Sequence, residues 1–311
     1  MALSYLAFVV RRLAAAAVVV VGVGVVNFTT FHLLRPEMFA GQGSALAQLT
    51  DFLTNLLLRF DLGRSWGAGR REVSDMVLEG LPADASLLIG GILIGSLAGL
   101  AGGALCAVRP RAAVSVLLDR AAAVAVCAPV YFVGLAAILL FSPDIGRLPI
   151  PFVGGQGTYQ PLTQDPVRWL QGLLLPWLVL ALPIAGMCLR MMRHTMREAL
   201  DEDYMRTAHG KGLRPRTAVR RHAMPVGAGP VISLAGVSMA TIVTNAILIE
   251  RTFNVPGVLR LTTVAMGSIE GKGAVDYPLL MGIVITGGMF VALGSLVADA
   301  LHGWLDPRVR A

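Results

Sequence analysis

The sequence predicts an all-α integral membrane protein with six transmembrane helices, and three observations carry that reading. Only 14% of its 311 residues are charged and the mean hydropathy is +0.70, whereas a soluble domain carries about 25% charged residues. Apolar runs long enough to cross a bilayer recur six times. Lys and Arg gather in alternate connections between those runs, which is the pattern of a positive-inside topology.

A helix rises about 1.5 Å per residue, so about 20 apolar residues cross a hydrocarbon core about 30 Å thick. The qualifying stretches are Leu13–Leu34, Leu87–Ala107, Ala121–Phe141, Leu173–Leu189, Val231–Ile249 and Leu279–Leu301. Arg11 and Arg12 ahead of the first run imitate a signal peptide, but the apolar stretch Leu3–Val10 precedes them, so an uncleaved first helix is the better reading. Leu46–Phe60 reads as a short amphipathic helix on the outer surface. In the second run Gly91, Gly95, Gly99 and Gly103 recur every four residues and stack on one helix face. This is read as a packing face for a neighbouring helix, with a pore-lining role as the alternative. The fifth run is the most polar. Ser233, Ser238, Thr241, Thr244 and Asn245 punctuate it and Glu250 ends it. Such residues either hydrogen-bond between helices or line a translocation path, and both readings stay open.

Between the fourth and fifth runs lies a polar island, Arg190–Pro225, with nine Lys and Arg residues. Leu200, Tyr204, Met205 and Ala208 recur there at helical spacing, which predicts a short helix with one apolar stripe. Gly210 and Gly212 flank Lys211 and allow the chain to turn. Pro215 suits the first turn of a second helix, and Pro225 is expected to stop or kink it. With both termini inside, the cytosolic segments hold 16 Lys and Arg against 10 outside, so the island is placed in the cytosol.

Several chemistries are excluded by the same residues. The net charge of +7 does not argue for nucleic acid, because the basic residues flank apolar spans and only 6% of the chain is aromatic. Cys106, Cys127 and Cys188 fall in apolar runs without CxxC spacing, so neither a disulfide nor a metal site is indicated. No GxxxxGK(S/T) phosphate loop exists; Gly271-Lys272-Gly273 lacks the rest of the motif. No HExxH, no GxSxG and no paired carboxylates lie within the spans, so no catalytic residues are expected. An ion-coupled carrier keeps acidic groups deep in its bundle, and almost none are expected here. The driving force is therefore expected from another polypeptide.

Asp203–Pro225 resembles the cytoplasmic "EAA" loop of the permease subunits of bacterial ABC importers. Gly212 takes the glycine place, Ala208 the second alanine and Pro225 the proline. Arg206, Thr207, His222 and Met224 stand where the general pattern has Glu, Ala, Ile and Leu. The peptide branch of that family fits better: Asp203-Tyr204-Met205-Arg206-Thr207-Ala208-His209-Gly210-Lys211-Gly212-Leu213, then Arg221-His222-Ala223-Met224 and Pro230, resemble its D-Y-V-R-T-A-R-A-K-G-L and R-H-A-L-x-N-A-x-x-P. Asp61-Leu62-Gly63-Arg64-Ser65 resembles its external DLGxS element, and Pro176 and Pro183 its P-x-L-x-L-A-L-P run. Glu250 through Gly257 resembles E-x-x-F-x-x-P-G, and Asp276-Tyr277-Pro278 and the ending Leu305-Asp306-Pro307-Arg308 also fit.

The resemblance is to the B-type permease of dipeptide/oligopeptide importers and implies a type I ABC importer fold. It divides the chain into residues 1–80 (first helix and external segment), 81–302 (permease domain with a coupling loop at 190–225) and 303–311 (cytoplasmic tail). It implies a homologous C-type permease, ATP-binding subunits holding ATP and Mg, and an external substrate-binding protein, in a bacterial cytoplasmic membrane. Asp203 to Ala208, Lys211, Gly212, Leu213, His222 and Pro225 would couple to the ATPase. The basic residues Arg220 and Arg221 serve equally well as membrane anchors. Nickel chelates, haem and other peptide-like cargo belong to the same branch.

Overall fold

The computed structural model describes residues 2–34, 36, 44–67, 69–267 and 275–305. Among them the chain is helical, apart from loops and one antiparallel bridge between Arg64 and Glu72. The Asp306-Pro307-Arg308 ending, most of the tail, Lys272 and the His209 side chain lie outside the described residues.

Helix α1 (Ala2–Leu34) is followed by α2 (Ala45–Thr54) and a wider π-turn at Asn55–Arg59. Ser44 caps α2, its Oγ accepting from the Ala47 amide at 3.3 Å. The amphipathic helix does form, and it lies along the last turns of α1: Gly24 faces Leu53 and Leu56, and the Phe28 and Phe52 rings are 5.6 Å apart.

Helix α3 (Val73–Val108) has 36 residues, about 54 Å at the usual rise. It begins fourteen residues before the apolar run and takes in Asp75, Glu79 and Asp84. The boundary expected after residue 80 therefore falls inside a helix. Helix α6 (Pro166–Asp201) is equally long. Asp165 caps it by accepting from the Val167 and Arg168 amides at 3.0 Å, and Pro166 occupies its first turn.

These two helices run parallel and form the spine of the bundle. A Cβ on Gly91, Gly95, Gly99 or Gly103 would meet Leu180, Ile184, Cys188 and Met192 in turn, each within 2.8 Å. The partner advances with the glycine in the same direction and by the same stride, so the glycine face is filled by α6. The packing reading is the one the structure supports.

Two of the six expected spans are not single helices. The third is α4 (Ala113–Cys127) and α5 (Val130–Phe141), bent by 112° at Ala128-Pro129. A residue before proline is driven from helical to extended backbone, and Ala128 has φ −72°, ψ 127°. The fifth is α9 (Met224–Val237) and α10 (Met239–Phe253), bent by 56°. The Ser238 hydroxyl donates back to the Leu234 carbonyl at 2.8 Å at that bend, a bond that competes with the helix ladder. Among the described residues there are thus four helices long and apolar enough to cross a membrane unaided, or six spans if each bent pair counts as one. After α10 come α11 (Thr262–Gly267) and the long α12 (Tyr277–Leu305), which packs on α1, with the Asn27 amide donating to the Met281 carbonyl at 3.1 Å.

Candidate functional site

The polar island is built from three pieces. Arg190–Asp201 is the last part of α6, which runs well past the apolar Leu189. Extended backbone at Glu202 (φ −71°, ψ 151°) ends it, and the short α7 (Asp203–Gly210) follows. A turn through Gly212 leads to α8 (Pro215–Ala218), and a π-turn at Val219–Ala223 joins α8 to α9. The π-turn has a local cause. Pro225 offers no N–H to the Arg221 carbonyl and its ring crowds that oxygen. Widening the turn, with Met224 N bonding to Val219 O, moves the carbonyl aside. Pro225 therefore does not stop the helix, contrary to one of the two outcomes expected from the sequence.

Gly212 sits at φ +78°, the left-handed region that costs a side-chain-bearing residue about 1–2 kcal/mol. A Cβ there would have nothing within 4 Å, so backbone conformation alone demands the glycine. The turn is closed by Lys211 N to Thr207 O at 3.0 Å and Leu213 N to Ala208 O at 3.3 Å.

The expected coupling residues divide into two groups. Met205 (1% exposed) and Ala208 (5%) are buried within the chain, in one core cluster with Met192, Met196, Ala199, Ala218 and Ala223. They hold the elbow to its own bundle and present nothing to a partner. Asp203, Tyr204, Arg206, Thr207, Lys211, Gly212 and Pro225 are exposed, and Leu213 and His222 are half-buried. Arg206 and Asp203 pair at 3.3 Å in full solvent, where such a pair contributes about 0–1 kcal/mol. Thr195 Oγ1 donates to the Gly227 carbonyl at 3.0 Å and ties α6 to α9 just above the elbow.

The five polar residues of the fifth run do not share one face. Ser233 meets His302 Nδ1 of α12 at 3.0 Å, and Ser238 bonds to its own helix. Thr241 and Thr244 are exposed on one side of α10 with Ala240 and Leu248, and Asn245 is half-buried beside them. Only this α10 group has the form of a lining surface.

At the other end of the bundle the structure brings together groups that the spans were expected to lack. Asp84 of α3 and Glu250 of α10 are both wholly buried. Both Asp84 oxygens accept from the Val258 amide (3.0 and 3.2 Å), and Glu250 Oε2 accepts from the Arg260 amide at 2.8 Å. A Cβ on Gly257 would lie 2.0 Å from Asp84 Oδ1 and 2.4 Å from Glu250 Oε2, so only glycine admits the pair. No paired carboxylates were expected within the apolar runs, and this pair forms just beyond their ends. Each residue lies just outside an apolar run, and only the loop after α10 joins them. Neither carboxyl reaches a surface where a substrate would bind, so the pair is no hydrolytic dyad.

A third buried carboxylate, apart from that pair, explains two more motifs. Asp276 Oδ2 accepts from Ser65 Oγ at 2.5 Å and from the Trp66 and Gly67 amides at 3.0 Å, while Oδ1 caps α12 through the Leu279 amide at 3.2 Å. The DLGxS and Asp-Tyr-Pro elements are therefore two halves of one joint. Gly63, at φ +79°, turns the chain into it.

Residues 76–311 match the model of the binding-protein-dependent transport system inner membrane component family. The chain belongs to that family. It is 30% identical to a putative peptide transport system permease protein of Brucella abortus, over 98% of this chain and 99% of that one. A probable peptide ABC transporter permease protein of Sinorhizobium fredii is 31% identical over 82% of this chain and 77% of its own. A probable D,D-dipeptide transport system permease protein of Escherichia coli is 29% identical over 94% of each. The chain is thus a multi-pass inner-membrane permease component, a transport subunit of the ABC peptide-importer kind.

Proposed function

We propose that this permease is the B-type half of an ATP-driven importer of dipeptides or oligopeptides. A homologous C-type permease completes the translocation pathway, an external binding protein delivers the cargo, and two ATP-binding subunits hold the ATP and Mg. Both termini and the elbow face the cytosol, and the Thr241–Thr244 side of α10 lines the path. The names of the relatives support peptide cargo, with nickel chelates or haem as the alternative cargo.

The observation that carries this reading is the elbow. Its outer side is polar and exposed, whereas its inner side is wedged on α6 by Met205 and Ala208. Driving a two-state element from 1:99 to 99:1 takes about 5.5 kcal/mol of differential binding, and only a seated element transmits such work. A push on α7 passes into α6, and from there along the glycine face into α3.

The test is Gly212→Ile in the reconstituted complex. The expected result is an assembled complex that hydrolyses ATP without taking up peptide; unchanged uptake overturns the reading. Cargo is settled by offering labelled dipeptide, nickel chelate and haem to the same vesicles. Uptake that follows a proton or sodium gradient without any ATPase would instead mark a secondary carrier.

A further inference from the structure

We propose that Asp84 and Glu250 share a single proton and so clamp the first third of α3 to the turn after α10, making that end of the bundle one rigid body. Asp84 Oδ1 and Glu250 Oε2 sit 2.0 and 2.4 Å from one point, which places them within 4.4 Å, and both side chains are wholly buried. Two carboxylates this close and out of water do not both ionise, so one of them keeps a proton. Ionised carboxylates only accept, so the protonated one donates to the other. The remaining bonds say which one. Asp84 already accepts from the Val258 amide with both oxygens, and Glu250 Oε2 from the Arg260 amide. Glu250 Oε1, wholly buried, has no N–H directed at it. The proton therefore sits on Glu250, which donates to Asp84.

The surroundings fit a clamp. One turn before Asp84, Gly80 lies so close to the Gly257-Val258 backbone that a Cβ would come within 2.6 Å of the Val258 nitrogen. The other titratable groups facing the pair are Arg260, whose guanidinium bonds Asn254 Oδ1 at 2.5 Å, and Tyr159, beside Ser86. Helix α3 thus meets the loop at two levels, by backbone approach at Gly80 and through the Asp84 carboxylate one turn on. The clamp also gives a chemical reason for the spacing from Glu250 to Gly257. Only glycine, seven residues on, leaves room for the glutamate to reach the aspartate.

The test compares Glu250→Gln with Glu250→Ala and Asp84→Ala in the assembled complex. Gln mimics a protonated glutamate, donating to Asp84 and accepting from the Arg260 amide. E250Q is expected to keep at least half of wild-type uptake and nearly the same melting temperature. E250A and D84A are expected to lose tenfold or more of the uptake. The difference infrared spectrum between wild type and E250Q is expected to show a neutral carboxylic acid band in the wild type alone. If E250Q fails as badly as E250A, or that band is absent from the wild type, the shared proton is refuted. The infrared and melting readouts do not depend on the cargo or the ATPase, so they stand whether or not the importer reading does.

Discussion

The two ends of the bundle handle polar groups in opposite ways. At the elbow, charged side chains stay in water and small apolar ones are turned inward: Met205, Ala208, Ala218 and Ala223 are buried while Arg206 and Lys211 are exposed. At the far end the charges are inside. Asp84, Glu250 and Asp276 are all buried and each accepts from backbone amides, Asp84 and Asp276 from distant segments and Glu250 from the loop that follows its own helix. Exposed charge is cheap to keep and easy to lend to another protein. Buried charge is costly unless its bonding is complete, so it serves only the chain that encloses it. One end thus leaves its charges open to solvent, as the proposed coupling role requires, and the other uses them to hold the fold.

The largest expected effect breaks the inner end. Asp84→Ala leaves the Glu250 carboxyl and the Val258 amide both buried and unsatisfied, at about 1–3 kcal/mol each, read as a fallen melting temperature in detergent. Next is the spine that joins the ends. Gly99→Leu forces a side chain into Cys188 and the Ala185 carbonyl, with an overpacking loss of about 1–3 kcal/mol or more and a matching drop in the same measurement. Gly212→Ile comes third, at about 1–2 kcal/mol of backbone strain, but its effect on uptake should exceed its effect on melting. That disproportion separates an element made for a partner from one made for packing. Smallest is Arg206→Ala. Stability should change by about 0–1 kcal/mol, while affinity for the ATP-binding subunits, measured by pull-down from detergent, should weaken. Equal loss of stability and coupling in all four variants would erase the distinction.

How much was legible beforehand depends on the range of the interaction. The Gly91 to Gly103 stripe announced a close helix contact because four-residue spacing is a local property, yet nothing in it named α6 as the partner. The Asp203–Gly212 elbow was legible for the same local reason, since helix periodicity and glycine need no distant contact. Apolar length did not disclose the bends at Pro129 and Ser238 in the third and fifth spans, because it measures membrane affinity rather than direction. Asp84 escaped notice because it sits before an apolar run, where a carboxylate is ordinarily exposed.

The sequence by itself determined the bilayer as solvent, the apolar runs, the charge asymmetry and the elbow, because each depends on composition or on residues within a few turns of one another. Only the tertiary structure decided which side chains the elbow keeps for itself, which helix fills the glycine face and how Asp84 meets Glu250. Those outcomes depend on which segments become neighbours after folding. A buried polar group is tolerated only where a distant segment completes its hydrogen bonds, and no local pattern records where that segment comes from.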